Sequence, residues 1–123
     1  MAAHELTLPS AAATARAIAA KQVSPVEVVQ AYLDRIDAYD QRGPTLNAVQ
    51  NVNPEAQQRA AELDASFQTS GEFGGPLHCI PVLVKDQVNT NFMPTTYGSA
   101  LFEDFVPSEN ATIIERMQAS MLE

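Results

Sequence analysis

The stretch Gly75-Pro76-Leu77-His78-Cys79-Ile80-Pro81-Val82-Leu83-Val84-Lys85-Asp86 carries an apolar run that ends at a charged amine. The run from Ile80 to Val84 is mostly aliphatic, is bounded upstream by glycine and proline, and is too short for a helix. It therefore predicts a short strand that is buried on both faces. Lys85 follows at the carboxyl end of this strand. Because ligands in open α/β sheets bind beyond the carboxyl ends of the strands, Lys85 is a candidate functional residue.

Lys85 differs in its setting from Lys21, the other lysine of the chain. Lys21 closes an alanine-rich helical stretch, where a positive charge complements the helix dipole and needs no further role. The apolar residues before Lys85 would partly bury its amine, and burial favours the neutral form that can act as a base. Asp86 is next in the chain, but the alternation of side chains along a strand would direct it to the other face. The residues alone leave two interpretations open: a functional base, or a half-exposed charge at a strand end.

A series of short motifs surrounds this stretch in a fixed order. The series comprises Gly-Gly-Pro-Leu-His-Cys-Ile-Pro-Val-Leu-Val-Lys-Asp at 74–86, Asn-Thr at 89–90, Met-Pro-Thr-Thr at 93–96, Gly-Ser at 98–99, Phe-Val-Pro at 105–107 and a helical segment at 111–117. It resembles the amidase signature family. The segments 24–29 and 46–49 are similar to the N-terminal pattern of the same family, so the resemblance covers nearly the whole chain.

The resemblance implies a hydrolase of carboxylic amides that uses a Ser-cis-Ser-Lys triad, in which Lys85 is by position the triad lysine. In that mechanism the neutral lysine is the general base and accepts a proton from the nucleophilic serine through the cis-serine. No metal or organic cofactor is implied. The loop after Lys85 would shape the substrate tunnel. The residues expected to bind substrate there are Met93, Thr95, Thr96, Gly98 and Ser99.

The resemblance also implies an α/β fold, of which this segment is a helix-rich part. We expect residues 1–123 to be the N-terminal portion of a single, longer amidase domain with α/β/α layers around a mixed sheet. This portion would supply two strands and four helices. Residues 1–8 show little periodicity and are expected to form a poorly ordered arm.

Capping signals place the helices. Ser10, the capping box that starts at Ser24, and Asn53 predict three helix starts, and a fourth helix is predicted from Ala111. In the second helix, apolar residues recur at i, i+4 and i+7 and predict its buried face: Val29, Leu33 and Ile36. The polar residues of that helix are expected to face water: Asp34, Arg35, Asp37 and Asp40. A second, weaker strand is predicted within 46–52.

The serines of the chain do not supply the rest of the triad. They are Ser10, Ser24, Ser66, Ser70, Ser99, Ser108 and Ser120. None lies in the Gly-Ser-Ser-Gly setting of the family's nucleophile, and no two are adjacent. Ser99 is a weak substitute, because no base lies near it in the sequence. We therefore expect this chain to have no amidase turnover on its own.

Two other classes of function remain open at this point. The chain can be a non-catalytic binding or structural fragment of an amidase-like protein. Alternatively, Lys85 can form a Schiff base with a carbonyl substrate, although the sequence lacks the pyridoxal or sugar-phosphate site that such chemistry needs.

Charge and composition limit the partners. The net charge is −8, and the few lysines and arginines are scattered, so no basic patch for nucleic acid or an anionic membrane is present. Acidic residues near the C-terminus, including Glu103 and Glu109, are expected to form a solvated face. We expect a small-molecule amide substrate in the full-length enzyme, no nucleic-acid or membrane partner, and self-association through strand edges that this segment leaves exposed. One cysteine and no membrane-spanning or signal pattern favour a cytoplasmic protein, with secretion of a processed form left open.

The histidines and the cysteine form a poor metal signal. His78 and Cys79 are adjacent, and His4 is far away in the chain, so the repeated spacing typical of zinc ligands is missing. Structural roles are therefore favoured for His78 and Cys79. At Cys79 the amidase pattern usually has glycine, and we expect the small cysteine side chain to be tolerated.

Overall fold

The computed structural model describes residues 9–122, so His4 and the arm predicted at 1–8 lie outside the described residues. The described part contains four α-helices, as the sequence predicts. They are α1 at Ala11–Ala19, α2 at Pro25–Arg35, α3 at Ala56–Ser70 and α4 at Thr112–Leu122. A π-helical segment, Ile36–Gln41, continues α2, and a 3₁₀ turn lies at Ala100–Phe102. No helix of the described part is both long and apolar enough to cross a membrane.

The start of α2 is fixed by the predicted capping box. The Ser24 hydroxyl accepts a hydrogen bond from the Glu27 N–H at 3.2 Å, and the Glu27 carboxylate accepts from the Ser24 N–H at 2.8 Å. Two backbone donors at the start of the helix are thereby satisfied. Pro25 at the first position has no N–H to satisfy.

The core lies where α1, α2 and α3 meet the loop that follows α3. Its buried members are Ile18, Val28, Leu63 and Cys79. Val23, Tyr32 and Phe73 pack against them. The prediction that Val29, Leu33 and Ile36 form the buried face of α2 is wrong in its register, because these three are only half-buried. Val28 and Tyr32, one turn apart, face the core instead.

The two predicted strands are absent from the described residues. Residues 80–84 are irregular, and Leu83 is 82% exposed rather than buried on both faces. A strand exists only when its peptide groups pair with a neighbouring strand, and residues 9–122 offer none. The sheet of the expected α/β fold is therefore not seen in this segment.

The other predicted strand, at 46–52, is replaced by a connection built on Asp40. The Asp40 carboxylate accepts hydrogen bonds from the N–H of Ala48 at 2.6 Å and of Val49 at 3.3 Å. These bonds occupy backbone donors that a strand would need. They also correct the prediction that Asp40 faces water, since Asp40 is 6% exposed. The bond from Ala48 is the main cause that lowers the pKa of Asp40.

His78 joins three parts of the chain. Its Nε2 lies 3.0 Å from the Leu63 carbonyl oxygen in α3. Its Nδ1 accepts from the Gly74 N–H at 3.1 Å and lies 3.0 Å from the Met121 carbonyl oxygen in α4. The ring is 2% exposed and stacks on Phe73, with centroids 5.3 Å apart. These contacts give His78 the structural role that the sequence favours.

Gly75 lets the same loop approach the end of α4. A Cβ at Gly75 would lie 2.2 Å from the Ser120 carbonyl oxygen, which is far inside contact distance. The next turn of the loop uses this approach, because the Leu77 N–H donates to the same Ser120 oxygen at 3.0 Å. The loop thus makes a backbone hydrogen bond to α4 beside the close approach at Gly75.

We predict that Gly75→Ala lowers the free energy of unfolding by about 1–3 kcal/mol, because backbone must move to admit the methyl group. The measurement is urea denaturation followed by circular dichroism. Gly71→Ala is the matched control: Gly71 has φ +74° but open space around its Cβ position, so it tests backbone conformation without a clash. A Gly75→Ala variant as stable as the natural chain would contradict the close approach.

Cys79 occupies a left-handed backbone conformation, with φ +64°, and is 5% exposed. This conformation explains why the amidase pattern usually has glycine here. Burial, and to a lesser degree the charge of Asp64, raise the pKa of the Cys79 thiol from 9.0 to about 12. The thiol is therefore a packed core group rather than a reactive one.

We predict that Cys79 in the native chain reacts with a disulfide reagent at pH 8 at least about tenfold more slowly than in denaturant, because burial limits access to the thiol and raises its pKa. The rate is followed by absorbance of the released thiol. Equal rates in the native and denatured chain would show that the buried position is wrong.

Candidate functional site

Lys85 follows the irregular segment 80–84 and is exposed. The partial burial expected for its amine is therefore not supplied by residues 9–122. Within the described part of the chain, Lys85 forms no ion pair, whereas Arg42 pairs with Asp37 and Arg59 with Glu62. The amine is thus presented at the surface without a carboxylate partner from this segment.

Asp86 is engaged by the loop that follows rather than by Lys85. Its carboxylate accepts from the Thr96 N–H at 2.9 Å and from the Thr96 hydroxyl. The Thr96 oxygen in turn accepts from the Gly98 N–H at 3.1 Å. The Asp86 carbonyl oxygen accepts from the Tyr97 N–H at 3.1 Å. We call this set of bonds between Asp86 and residues 96–98 the Asp86 clamp.

The clamp also sets the ionisation of Asp86. Partial desolvation opposes the charged form, but the hydrogen bonds from the Thr96 side chain, the Thr96 backbone and the Gly98 backbone outweigh it and lower the pKa of Asp86 below 3.8. Asp86 is consequently a charged acceptor at neutral pH. Charge-assisted bonds of this kind are stronger than neutral ones.

The clamp holds one wall of a small cleft with a volume of about 210 Å³. Two segments that are far apart in sequence meet in it. Its lining residues are Gln50, Asn51, Thr96, Gly98, Ser99, Ala100 and Glu103. Of the residues expected to bind substrate, Thr96, Gly98 and Ser99 are therefore brought together.

Met93 and Thr95 are not part of this lining, and neither is Lys85. Thr95 is 1% exposed, and its N–H donates to the Phe105 carbonyl oxygen at 2.9 Å. The Met93 carbonyl oxygen accepts from the Thr90 hydroxyl at 3.2 Å. Both residues therefore help to shape the loop in this segment, behind the cleft wall.

A comparison with models of protein families shows which family the chain belongs to. The family model described as Amidase matches residues 27–120, a range that contains the Lys85 segment, the clamp and all of the core except Ile18 and Val23. The chain belongs to the amidase family. The resemblance that the motifs indicate is thereby confirmed.

Relatives of this amidase segment include one of the subunits of glutamyl-tRNA(Gln) amidotransferase, from two bacteria. The chain is 38% identical over 117 residues to the protein from Chloroflexus aurantiacus and 41% identical over 116 residues to that from Salinispora tropica. These matches cover 95% and 94% of the chain and 23% of each relative. The chain therefore spans less than a quarter of the length of these relatives.

Solved amidase structures share the fold of the segment. The peptide amidase from Stenotrophomonas maltophilia matches with a TM-score of 0.87 and 35% identity. An amidase family protein from Bacillus anthracis matches with a TM-score of 0.85 and 32% identity. Each match covers 94% of this chain and 23% of the solved chain.

Sequence reasoning missed three polar residues of the amidase segment's cleft. Gln50 and Asn51 lie in a stretch predicted as a strand, and Glu103 was expected on a solvated face. Nothing in the local pattern links positions 50 and 51 with 96–103, because their proximity follows from the path of the chain around Asp40. Ser99, by contrast, accepts a hydrogen bond from the Leu101 N–H at 3.3 Å and caps the 3₁₀ turn.

We predict that Asp86→Asn lowers the free energy of unfolding at pH 7 by about 1–3 kcal/mol, because the amide nitrogen cannot accept from the Thr96 hydroxyl. The pKa of Asp86 is lower in the folded chain than its ordinary value of 3.8, so the ionised carboxylate stabilises the fold above pH 3.8. This stabilisation is lost as the pH falls through the pKa of the folded state. The difference between natural chain and variant should therefore shrink below about pH 4. This difference in the free energy of unfolding is measured by urea denaturation at a series of pH values.

Asp104→Asn is the control for this experiment, since it makes the same charge change at an exposed position. Equal effects of the two substitutions at pH 7 would show that charge, rather than the clamp, accounts for the loss.

Proposed function

We propose that this chain supplies Lys85 as the general base of an amidase that cleaves the C–N bond of carboxylic amides through a serine acyl-enzyme. The observation that carries the proposal is the position of Lys85 in a member of the amidase family. Its amine follows the apolar motif and has no carboxylate partner in the described part of the chain, because the adjacent Asp86 is held by Thr96.

The chemistry of amides explains the need for such a base. An amide resists attack because its nitrogen donates electrons into the carbonyl group, so hydrolysis benefits from a covalent nucleophile that is activated by a base. In the proposed Ser-cis-Ser-Lys arrangement, Lys85 accepts the proton of the nucleophilic serine through the cis-serine. It then helps to return a proton to the leaving amine, and water releases the acyl group.

The serines and the burial of the amine would both come from polypeptide outside this chain. None of the chain's serines is in a paired setting, and Lys85 is exposed in the described segment. Burial favours the neutral, proton-accepting form of an amine. The α/β/α layers and the mixed sheet belong to the same proposal, since that polypeptide would provide strands that this segment lacks.

The substrate is proposed by class only. The relatives are an amidotransferase component named for glutamyl-tRNA(Gln) and a peptide amidase, and a small-molecule amide is compatible with the small polar cleft. We propose neither a nucleic-acid nor a membrane partner, in keeping with the net charge of −8. A cytoplasmic location is proposed from the single cysteine. The strand edges expected to mediate self-association are absent from the described residues. Self-association is proposed instead from exposed apolar side chains, including Leu83 and Leu101, which are 82% and 91% exposed.

We predict that Lys85→Met lowers the amidase activity of a chimera in which this chain replaces the matching first part of the Stenotrophomonas maltophilia peptide amidase. If the chimera hydrolyses amides, removal of the base should lower kcat/KM by a factor of about 1,000 or more. Lys21→Met, a change of the other lysine, which is also exposed, is the control and should leave the rate within about twofold. Labelling with a fluorophosphonate reports the serine nucleophile independently. A Lys85→Met chimera with full activity would refute the assignment.

We also predict that the 123-residue chain alone shows no amide turnover, because it lacks the serine pair. Mass spectrometry of a mixture of simple amides after incubation with the chain is the measurement. Lys85-dependent product formation by the isolated chain would refute this prediction.

A further inference from the structure

His78 has more hydrogen-bonding neighbours than a neutral ring can satisfy. Its Nε2 lies 3.0 Å from the Leu63 carbonyl oxygen. Its Nδ1 lies 3.1 Å from the Gly74 nitrogen and 3.0 Å from the Met121 carbonyl oxygen. A neutral imidazole has a single N–H, so it cannot donate to both carbonyl oxygens. One of the two carbonyl contacts is therefore unsatisfied as long as the ring is neutral.

The neutral form that fits most of these contacts has its proton on Nε2. In this form the Nε2–H donates to the Leu63 oxygen, and Nδ1 accepts from the Gly74 N–H. The unprotonated Nδ1 then faces the Met121 oxygen at 3.0 Å, where two acceptors meet. With the proton on Nδ1 instead, the Met121 contact would become a hydrogen bond, but the bonds to Leu63 and from Gly74 would both be lost.

A second proton on the ring removes this conflict. The charged ring has an N–H on each nitrogen, so Nε2 donates to Leu63 while Nδ1 donates to Met121. The bond from Gly74 is lost in exchange, but Gly74 is only half-buried, and its N–H can bond to water. Met121 lies in the last turn of α4, where the helix dipole favours a positive charge.

Backbone carbonyl groups, rather than carboxylates, would stabilise this positive charge. No carboxylate of residues 9–122 forms an ion pair with the ring. Burial opposes the charged form, because His78 is 2% exposed, and the two charge-assisted hydrogen bonds act against this penalty. The charged residues on the surrounding elements, within two helical turns in sequence of the groups that the ring contacts, are Glu72, Arg59, Glu62, Asp64, Glu115 and Arg116. Arg59 and Glu62 pair with each other.

We propose that His78 is a proton-operated switch between the loop and α4. Uptake of a proton at Nδ1 exchanges the bond from the Gly74 N–H for a bond to the Met121 carbonyl oxygen and retains the bond to Leu63. Histidine is the side chain that ordinarily changes its charge between about pH 5 and 8. Acidification thus fastens the last turn of α4 to the loop by a second hydrogen bond, beside that from the Leu77 N–H to Ser120. The switch is independent of the proposed function.

The first test is a titration of the ¹⁵N-labelled 123-residue chain from pH 8 to pH 5, read from the signals of the imidazole nitrogens. His4→Gln identifies the signals of His78, since these are the two histidines of the chain. At pH 8 Nε2 should be protonated and Nδ1 unprotonated. On acidification Nδ1 should gain a proton while the chain stays folded, and the Gly74 amide signal should shift in parallel.

Hydrogen exchange measures the effect on α4. The protection factor of the Leu77 N–H, which bonds to Ser120 in α4, should rise by about two- to tenfold between pH 8 and pH 5, as one additional net hydrogen bond would produce. His78→Gln has no titrating ring at this position and should abolish the rise. His4→Gln removes the other histidine and is the matched control, which should retain the rise.

An Nδ1 that stays unprotonated until the chain unfolds would overturn the proposal. A proton on Nδ1 already at pH 8 would also overturn it, because the Met121 contact would then be satisfied in the neutral ring. The same holds for an equal rise of the Leu77 protection factor in the two variants. The ring titration uses the natural chain and therefore decides the proposal even where His78→Gln does not fold.

Discussion

The loop from Gly74 to Cys79 has to pass between α3 and the end of α4, and His78 makes this passage possible. With Nδ1 accepting from the Gly74 N–H, the Nε2–H of the ring donates to the Leu63 carbonyl oxygen in the middle of α3, and the ring stacks on Phe73. Loss of these partners would leave buried polar groups unpaired, at a cost of about 1–3 kcal/mol each. The ring thereby sets the position at which the chain enters the segment that leads to Lys85.

The second constraint is the Asp86 clamp, which gives Asp86 and the adjacent Lys85 different roles. If Asp86 paired with the adjacent amine, its charge would stabilise the protonated form of Lys85 and oppose a role as base. In the structure each oxygen of its carboxylate instead accepts one hydrogen bond from Thr96. The clamp thus leaves the amine without a carboxylate partner in this segment and fixes the loop that forms one wall of the cleft.

The starts of α1 and α2 were predictable because their signals are local, whereas α3 begins at Ala56, after Glu55, and not at the predicted cap Asn53. The capping box at Ser24 needs only residues within one turn, and it forms as predicted. The strands were not predictable from the same kind of evidence, since a strand depends on a partner, and residues 80–84 have none among the described residues. The register of α2 failed for a related reason: Val28 and Val29 are equally apolar, and the position of α3 decides which of them is buried. Asp40 was assigned to solvent because the sequence shows its polarity but not the distant N–H groups of Ala48 and Val49 that bind it, whereas Glu103 is exposed as expected.

Cys79 and Lys85 illustrate how far a short segment can specify a site. At Cys79 a left-handed backbone costs a residue with a side chain about 1–2 kcal/mol, and burial of the thiol in the core offsets a similar amount. The turn before the lysine is therefore maintained by packing within this chain alone. Packing within this chain does not, however, bury the Lys85 amine, because the described residues leave Lys85 exposed. In the proposed mechanism a neutral amine requires burial, so the polypeptide that brings the serines would also have to cover the lysine. Neither a serine pair in the sequence nor burial of the lysine among the described residues is supplied by this segment by itself.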